Sequence, residues 1–318
     1  MLRLNLNMPK VLISDLLSNL AKEVFEKNNI EVDVDTELSP SKLQEVIKNY
    51  DGLVIRSATK ATKEIIEAGD KLIIIGRAGA GVDNIDLIAA KKKNIIVMNT
   101  PGGNTNATAE HTISLLLSLY RSIPKANAST HQGLWEKKKF KGSELKGKKI
   151  GLIGFGNVAE RVAEISKCFA MEVSVFSKSF ESRKENYPDI KSLNLEEMLS
   201  ICDIISFHCK PPKDGNPIIN LPELKKMKKN AVIINTARGN LVNEIDLKTA
   251  LNESIIKGAA LDVYSEEPAK NNVLFGVKNL ILTPHIAAST EEAQLVVAQQ
   301  IAEQISEFFK TGKITNSV

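Results

Sequence analysis

The stretch Lys149-Ile150-Gly151-Leu152-Ile153-Gly154-Phe155-Gly156-Asn157-Val158-Ala159 decides the fold. An apolar run short enough for a buried strand is followed at once by Gly154-x-Gly156-x-x-Ala159 and then by a helical pattern. The first two glycines permit a tight turn and close backbone approach to a pyrophosphate, and the helix N-terminus adds partial positive charge. An alanine in the third position still lets helix and strand pack closely. A plain strand-to-helix turn is the alternative reading of such a pattern standing alone. The strand before it and the helix after it favour a dinucleotide-binding turn.

Outward from that turn, apolar runs recur as strand candidates at Glu172 to Phe176, Ile204 to Phe207, Ala231 to Asn235, Ala259 to Leu261 and Leu280 to Leu282. Upstream, Val11-Leu12-Ile13, Val32-Asp33-Val34, Leu53-Val54-Ile55, Leu72 to Ile75 and Ile95-Ile96-Val97 form an earlier series. It alternates with amphipathic stretches such as Leu16 to Asn28 and closes at the breaker cluster Thr100-Pro101-Gly102-Gly103. Such alternation belongs to parallel α/β sheets, and 318 residues exceed what one core usually serves. The final helix, Glu291 to Lys310, has no strand left to feed and is placed back on the first unit. The expected fold is α/β with two doubly wound parallel-sheet domains. A Rossmann dinucleotide-binding domain over 104–287 is inserted into a flavodoxin-like substrate domain made of 1–103 and 288–318, with cofactor and small ligand meeting in a cleft between them. The apolar run Ile113 to Leu119 reads as a helix covered on several sides, by a domain or subunit neighbour.

Composition narrows the function. Apolar residues at 43% and charged residues at 25% suit a soluble globular enzyme, and the net charge of +4 arises from interspersed signs, so nucleic acid is not an expected partner. No apolar run reaches membrane-spanning length, and Met1 to Met8 lack the order of a secretory signal. Cys168, Cys202 and Cys209 are odd in number and far from metal-ligand spacing, which points away from disulfides and metal and towards a cytoplasmic setting.

The residues that carry chemistry sit where strands run out. Hydride transfer from a 2-hydroxy acid needs a group to take the hydroxyl proton and a cation to fix the carboxylate. Among four histidines, His285 follows Leu280-Ile281-Leu282-Thr283-Pro284 at a strand end, where ligands bind in open α/β sheets, and is chosen as the base. His111 reads as a packed, satisfied histidine and His131 as exposed, while His208 either borders the cofactor or fixes its loop. Glu267, before Pro268, is set against the far nitrogen of His285, where it would fix the tautomer and favour the imidazolium; an unpartnered turn glutamate is the alternative. Arg238 offers a planar fork matched to a carboxylate, with an interdomain salt bridge as the alternative. An acidic residue ending the Glu172 to Phe176 strand would bind ribose hydroxyls, but Ser177-Lys178-Ser179 stands there. A hydroxyl and a cation suit a ribose phosphate, with Arg183 as a second cation, unless Lys178 is simply solvated.

The motifs Gly76-Arg77-Ala78-Gly79-Ala80-Gly81-Val82-Asp83-Asn84-Ile85-Asp86, Met98 to Asn104, Asn235-Thr236-Ala237-Arg238-Gly239, Glu266-Glu267-Pro268 and Pro284-His285-Ile286-Ala287 closely resemble the D-isomer-specific 2-hydroxyacid dehydrogenases, over almost the entire chain. The resemblance implies an oxidoreductase that moves a hydride between C2 of a D-2-hydroxy acid and NAD or NADP. The family's arginine, glutamate and histidine fall on Arg238, Glu267 and His285. Cofactor contacts are implied at Gly154, Gly156, Asn157, Val158, Ser177 and Lys178, and at His208, Cys209, Thr236, Ala237, Asp262 and Ala287.

Within the family, Val54 to Lys60, the Arg77 loop and Trp135 to Phe140 are similar to members that oxidise 3-phospho-D-glycerate to 3-phosphohydroxypyruvate on the route to serine. This implies substrate contacts from Arg56, Ser57, Arg77, Lys137 and the Ala78 and Gly79 amides; for Lys137 to Lys139 a solvated face is the other reading. Ser177-Lys178-Ser179 instead resembles NADP-using hydroxypyruvate and glyoxylate reductases of the same family. Cys209-Lys210-Pro211-Pro212 also departs from the family's usual loop, and Ala159 replaces a frequent glycine. The rival function is therefore an NADPH-dependent 2-oxo acid reductase, and a more distant one is a cofactor-sensing regulator of transcription. A homodimer built on the helix and arm after Asn104 is implied. The regulatory serine-binding domain of some members is not expected, because the sequence stops soon after its last helix.

Overall fold

The computed structural model describes residues 8–318; residues 1–7, most of the segment read as lacking a secretory signal, lie outside the described residues. Two compact units are present. One takes the described residues up to Asn104 together with Ser289–Val318, the other Thr105–Ala288.

In the first unit, β1 (Lys10–Ile13), β2 (Glu31–Val34), β3 (Gly52–Ile55), β4 (Ile74–Arg77) and β5 (Ile96–Asn99) form a parallel sheet in the order β2-β1-β3-β4-β5. All of β3 is buried, as an unbroken apolar strand covered on both faces must be. The apolar run from Leu72 suggests a strand two residues earlier than the observed β4. Pairing of Ile74 with Gly52 and with Ile96 sets the register, while Leu72 packs with Ile65 and Ile66. The helix Glu291–Thr311 packs against β4. A Cβ on Gly76 would stand 2.5 Å from Ile305 Cδ1 and 2.7 Å from Ile301 Cγ1, so the missing side chain is what admits the helix. Beyond the helix the chain returns to β5, where the Asn99 amide donates to the Asn316 carbonyl and the Val318 amide to the Val97 carbonyl.

The second unit holds β6 (Lys149–Ile153), β7 (Glu172–Phe176), β8 (Lys191–Ser192), β9 (Ile204–Phe207), β10 (Val232–Asn235), β11 (Gly258–Leu261) and β12 (Leu280–Leu282) in a wholly parallel sheet. Their order, β12-β11-β10-β9-β6-β7-β8, reverses direction at β6, which is the doubly wound arrangement with its switch point between β6 and β9. Alternate residues serve the two faces: Ile150, Leu152, Ile204, Val232 and Ile234 join one core, and Ile153, Ile205, Phe207, Ile233 and Leu261 the other. β8 is a two-residue exposed edge strand without a periodic signal to announce it.

The helix Thr105–Arg121 covers the first of these faces, burying Ala109, Ile113, Leu115, Leu116 and Tyr120. Its approach is possible because β11 reads Gly-Ala-Ala-Leu; a Cβ on Gly258 would already lie 3.2 Å from Leu119 Cδ1. The apolar run that suggested a neighbouring domain or subunit is thus largely consumed by the unit's own core.

Register also fixes where the strands end. Phe176, Ile153, Phe207, Asn235, Leu261 and Leu282 form one continuous row of Cα partners across β7, β6, β9, β10, β11 and β12. The residues that follow each of them therefore emerge along a single edge of the sheet.

Candidate active site

Gly154 follows β6 with φ 94°, and a Cβ there would meet the His208 carbonyl oxygen at 2.5 Å. Only glycine fits both the conformation and the space. Gly156 caps the helix Asn157–Cys168, and nothing lies within 4 Å of the position its Cβ would take. Ala159 is buried where the helix meets the sheet, while Asn157 is exposed and Val158 half-buried. An open, side-chain-free approach to first-turn amides fits a diphosphate, so this turn suits a dinucleotide.

At the next strand end, Ser177 Oγ and Ser179 Oγ are 3.0 Å apart and Lys178 is exposed. Arg183 does not stand ready as a second cation. Its guanidinium donates to Glu160 Oε1 at 2.6 Å and to the Phe155 carbonyl, and lies 5.5 Å from the Phe155 ring centre, bracing the turn. His208, after β9, has Nε2 2.9 Å from Ser206 Oγ; burial pushes its pKa down to about 3, which leaves the ring neutral. Burial pushes the Cys209 thiol up to about 11.

Three loops at the other end of the row build a second cluster. After β10, Asn235 shapes the turn: its Nδ2 donates to the Arg238 carbonyl at 2.8 Å and its Oδ1 accepts the Ala237 amide at 3.0 Å. Thr236 is buried with its hydroxyl 2.8 Å from that of Thr112. A Cβ on Gly239 would fall 1.8 Å from the Tyr264 carbonyl carbon, so this glycine presses the Arg238 turn onto the segment leading to Glu267. Glu244 secures that segment by accepting from the Ser265 amide, the Ser265 hydroxyl and Asn272 Nδ2, each at 2.8 Å.

Glu267, joined to Pro268 by a cis peptide bond, accepts the Tyr264 amide on Oε1 at 3.0 Å and faces His285 Nδ1 with Oε2 at 2.6 Å. The bond to Glu267 raises the His285 pKa against the opposing effect of burial, the Glu267 and Asp262 charges add to it, and the Arg238 charge works against it. Burial of Glu267 favours its neutral form, but hydrogen bonds from His285 and the Tyr264 amide, with the His285 and Arg238 charges, hold it below the usual range. With Glu267 ionised and acceptor-only, Nδ1 carries a proton and Nε2 is left for exchange with a reacting group.

His285 itself has φ 55°, a left-handed conformation unfavourable for a non-glycine residue. The loop is held by Asp262, fully buried after β11. Its Oδ1 accepts the Thr283 hydroxyl at 2.5 Å and the Ile286 amide at 2.9 Å, and its Oδ2 the Ala287 amide at 2.8 Å. Burial opposes ionisation, yet hydrogen bonds from His111, Thr283, Ile286 and Ala287 hold the carboxyl below its ordinary pKa. Asp262 and Ala287, expected to touch cofactor, are here engaged with each other; the aspartate's visible task is to shape the His285 loop.

In the first unit, the Arg56 amide donates to Asp15 Oδ2 and its Nη1 to the Leu16 carbonyl at 3.1 Å. Asp15 also accepts from the Thr59 amide and hydroxyl, and Asn84 Nδ2 spans the Arg56 and Thr59 carbonyls at 2.6 Å each. Ser57 is exposed on this loop. The expectation for Ala78 needs correction: its amide donates to the Ile55 carbonyl at 2.8 Å, continuing the β3–β4 pairing, so it is spoken for within the sheet. Gly79 has φ 147°, and a Cβ there would lie 1.5 Å from Arg77 Nη1, which places that guanidinium over the glycine. Lys137 is exposed in the short turn Lys137–Phe140 of the second unit, beside Trp135, which is 87% exposed. Among the described residues no group of three or more His, Cys, Asp or Glu could hold a metal ion, and no helix is long and apolar enough to cross a membrane.

Sequence reasoning gave no role of their own to Asp15, Asn84 or Thr283. An aspartate two residues past the first apolar strand, and a threonine directly after the last, were the available signals.

Residues 113–287 match the family model described as the NAD binding domain of the D-isomer specific 2-hydroxyacid dehydrogenases. The chain belongs to that family. D-3-phosphoglycerate dehydrogenase of Archaeoglobus fulgidus is 41% identical over 310 residues, covering 97% of this chain and 59% of that protein. The chain thus spans a little over half the length of the curated relatives it matches. An NAD+-bound 3-phosphoglycerate dehydrogenase of Entamoeba histolytica is similar at 30% identity and TM-score 0.83, covering 98% of each chain. An acyclic imino acid reductase in complex with NADPH and D-Arg is similar at 32% identity and TM-score 0.85, covering 97% of this chain and 99% of that one.

If Gly239 is the close-packed joint between the Arg238 turn and the Glu267 segment, Gly239→Ala must move backbone. Chemical denaturation should show a loss of about 2 kcal/mol or more; an unchanged unfolding midpoint would show that the joint has slack.

Proposed function

We propose that the chain is a D-2-hydroxyacid dehydrogenase that interconverts 3-phospho-D-glycerate and 3-phosphohydroxypyruvate with NAD or NADP, at the entry of a route to serine. The observation that carries the reading is the 2.6 Å contact between His285 and Glu267 in a cluster that also feels the Arg238 charge. The substrate name comes from the relatives, several of which are D-3-phosphoglycerate dehydrogenases. The second unit is assigned the dinucleotide and the first the substrate.

Arg238 pairs its planar fork with the substrate carboxylate, which turns the C2 hydroxyl towards His285 Nε2. That nitrogen accepts the hydroxyl proton as the C–H bond of C2 breaks, and returns it to the carbonyl oxygen in reduction. Glu267 stabilises the imidazolium so formed and prevents the ring from turning. A bound nicotinamide supplies the hydride acceptor in oxidation and the donor in reduction. Gly154, Gly156 and the first-turn amides of Asn157 and Val158 take the diphosphate. Ser177 and Lys178 face the adenosine ribose, and His208, Cys209, Thr236 and Ala237 continue the cofactor contact. Arg56, Ser57, Arg77, Gly79 and Lys137 are assigned to the phosphate and carboxylate. The exposed pair Leu134 and Trp135 supports a homodimer, and three unpaired thiols suit the cytoplasm.

One observation favours a second reading. Ser177-Lys178-Ser179 offers hydroxyls and a cation where a ribose hydroxyl would want a carboxylate, which suits an NADPH-dependent reductase of glyoxylate or hydroxypyruvate.

Initial rates with NADH and NADPH, using 3-phosphohydroxypyruvate and then glyoxylate, separate the two. The proposal predicts a preference for the phosphorylated acceptor, and a loss of turnover of at least about 100-fold in His285→Ala with little change in KM. Preference for glyoxylate with NADPH would establish the second reading, and near-full activity in the variant would remove His285 as the base.

A further inference from the structure

His111 belongs to the helix Thr105–Arg121, far from the reactive loops in sequence, yet its Nε2 lies 3.2 Å from Thr283 Oγ1 and 3.4 Å from Asp262 Oδ1. The protons can be counted. Thr283 Oγ1 has a single hydrogen, and at 2.5 Å from the buried carboxylate oxygen of Asp262 it must spend that hydrogen there, because two lone pairs so close would repel. What Thr283 Oγ1 presents to His111 is then a lone pair. His111 Nε2 must carry a hydrogen, shared between the threonine oxygen and Asp262 Oδ1.

Each further contact of that carboxylate belongs to the loop carrying His285. The Ile286 and Ala287 amides bind its two oxygens, and Thr283 opens the turn in which the His285 amide donates to the Thr283 carbonyl at 3.1 Å. The Thr283 carbonyl also accepts from the Tyr264 hydroxyl at 2.9 Å, three residues before Glu267. Removing the His111 donor leaves Asp262 and Thr283 one hydrogen short inside a closed network, and the member of that network held in an unfavourable left-handed conformation is the His285 loop.

We propose that His111 is a positioning residue: its Nε2–H locks Thr283 and Asp262, and through them sets the direction in which His285 faces the substrate. The inference rests on His285 being the base. It assigns to a helix histidine, packed and partly exposed, a task in the reaction instead of one in the core alone.

The test compares His111→Gln, whose amide donates from a similar reach, with His111→Leu, which fills comparable volume and donates nothing. The proposal predicts kcat within about twofold of wild type for the glutamine variant and about tenfold lower for the leucine variant, with KM for cofactor and 2-oxo acid unchanged within about twofold. A packing role predicts the opposite ranking. Nitrogen-15 NMR of the wild-type ring gives an independent reading, since neutral His111 must be the Nε2–H tautomer. Equal turnover in both variants, a glutamine variant as impaired as the leucine one, or an Nδ1–H tautomer would each overturn the proposal. If the leucine variant fails to fold, the glutamine variant and the tautomer still decide. His285→Ala is measured alongside, so failure of His111 as a positioning residue is distinguished from failure of His285 as the base.

Discussion

The row of paired residues Phe176, Ile153, Phe207, Asn235, Leu261 and Leu282 is the constraint on which the rest depends. Parallel strands about 4.8 Å apart with their carboxyl ends level put Ser177, Gly154, His208, Thr236, Asp262 and Thr283 side by side. Because side chains alternate between faces, a slip of one residue in β12 would send the hydrophobic residues of that strand to the wrong core and carry His285 away from Glu267. Buried apolar surface on both faces resists such a slip. The chemistry is therefore positioned by hydrophobic matching in the strands, before any polar contact is made.

Polar contacts then complete what the strands begin. Two carboxylates next to one imidazole have different tasks because their surroundings differ. Asp262 is wholly buried and saturated by protein donors, so it acts as a scaffold for a strained loop. Glu267 keeps partial exposure and one oxygen against the ring, so it acts on the proton affinity of His285. The close approach of Gly239 to Tyr264 brings the guanidinium of Arg238 near enough for its charge to be felt by both members of the pair. The same economy appears at the phosphate turn, where Gly154 fits against the His208 carbonyl and Arg183 braces the turn from outside.

Much of this is legible in the sequence because buried parallel strands are short apolar runs that end in turn residues. The strands Glu172–Phe176, Ile204–Phe207 and Leu280–Leu282 can be read to their last residue. The doubly wound α/β class follows from their alternation with helices, and the proximity of His285 to Glu267 from the loops that leave adjacent strands. The start of β4 is not legible, since Leu72 and Ile74 look alike until pairing partners choose between them. β8 has no periodicity to read. Hydrogen bonds joining residues far apart in the chain are also invisible, so the contacts of His111 with Thr283 and Asp262, and of Asp262 with the Ile286 and Ala287 amides, cannot be read from the sequence. The apolar face of Thr105–Arg121 can be read as apolar, but not as belonging to its own unit's core. The Ala78 amide looks free in a loop motif and is taken by Ile55.

The central claim is that Glu267 holds the proton on His285. Titration of the His285 ring by NMR, in the wild type and in Glu267→Gln, tests it directly. A carboxylate partner stabilises the imidazolium, so the ring should keep its proton to a pH above the ordinary 6.5, and oxidation, which needs the neutral ring, should gain activity only as the pH rises through that raised value. In Glu267→Gln the titration should move to lower pH. A wild-type pKa at or below 6.5 that the substitution leaves in place would contradict the account.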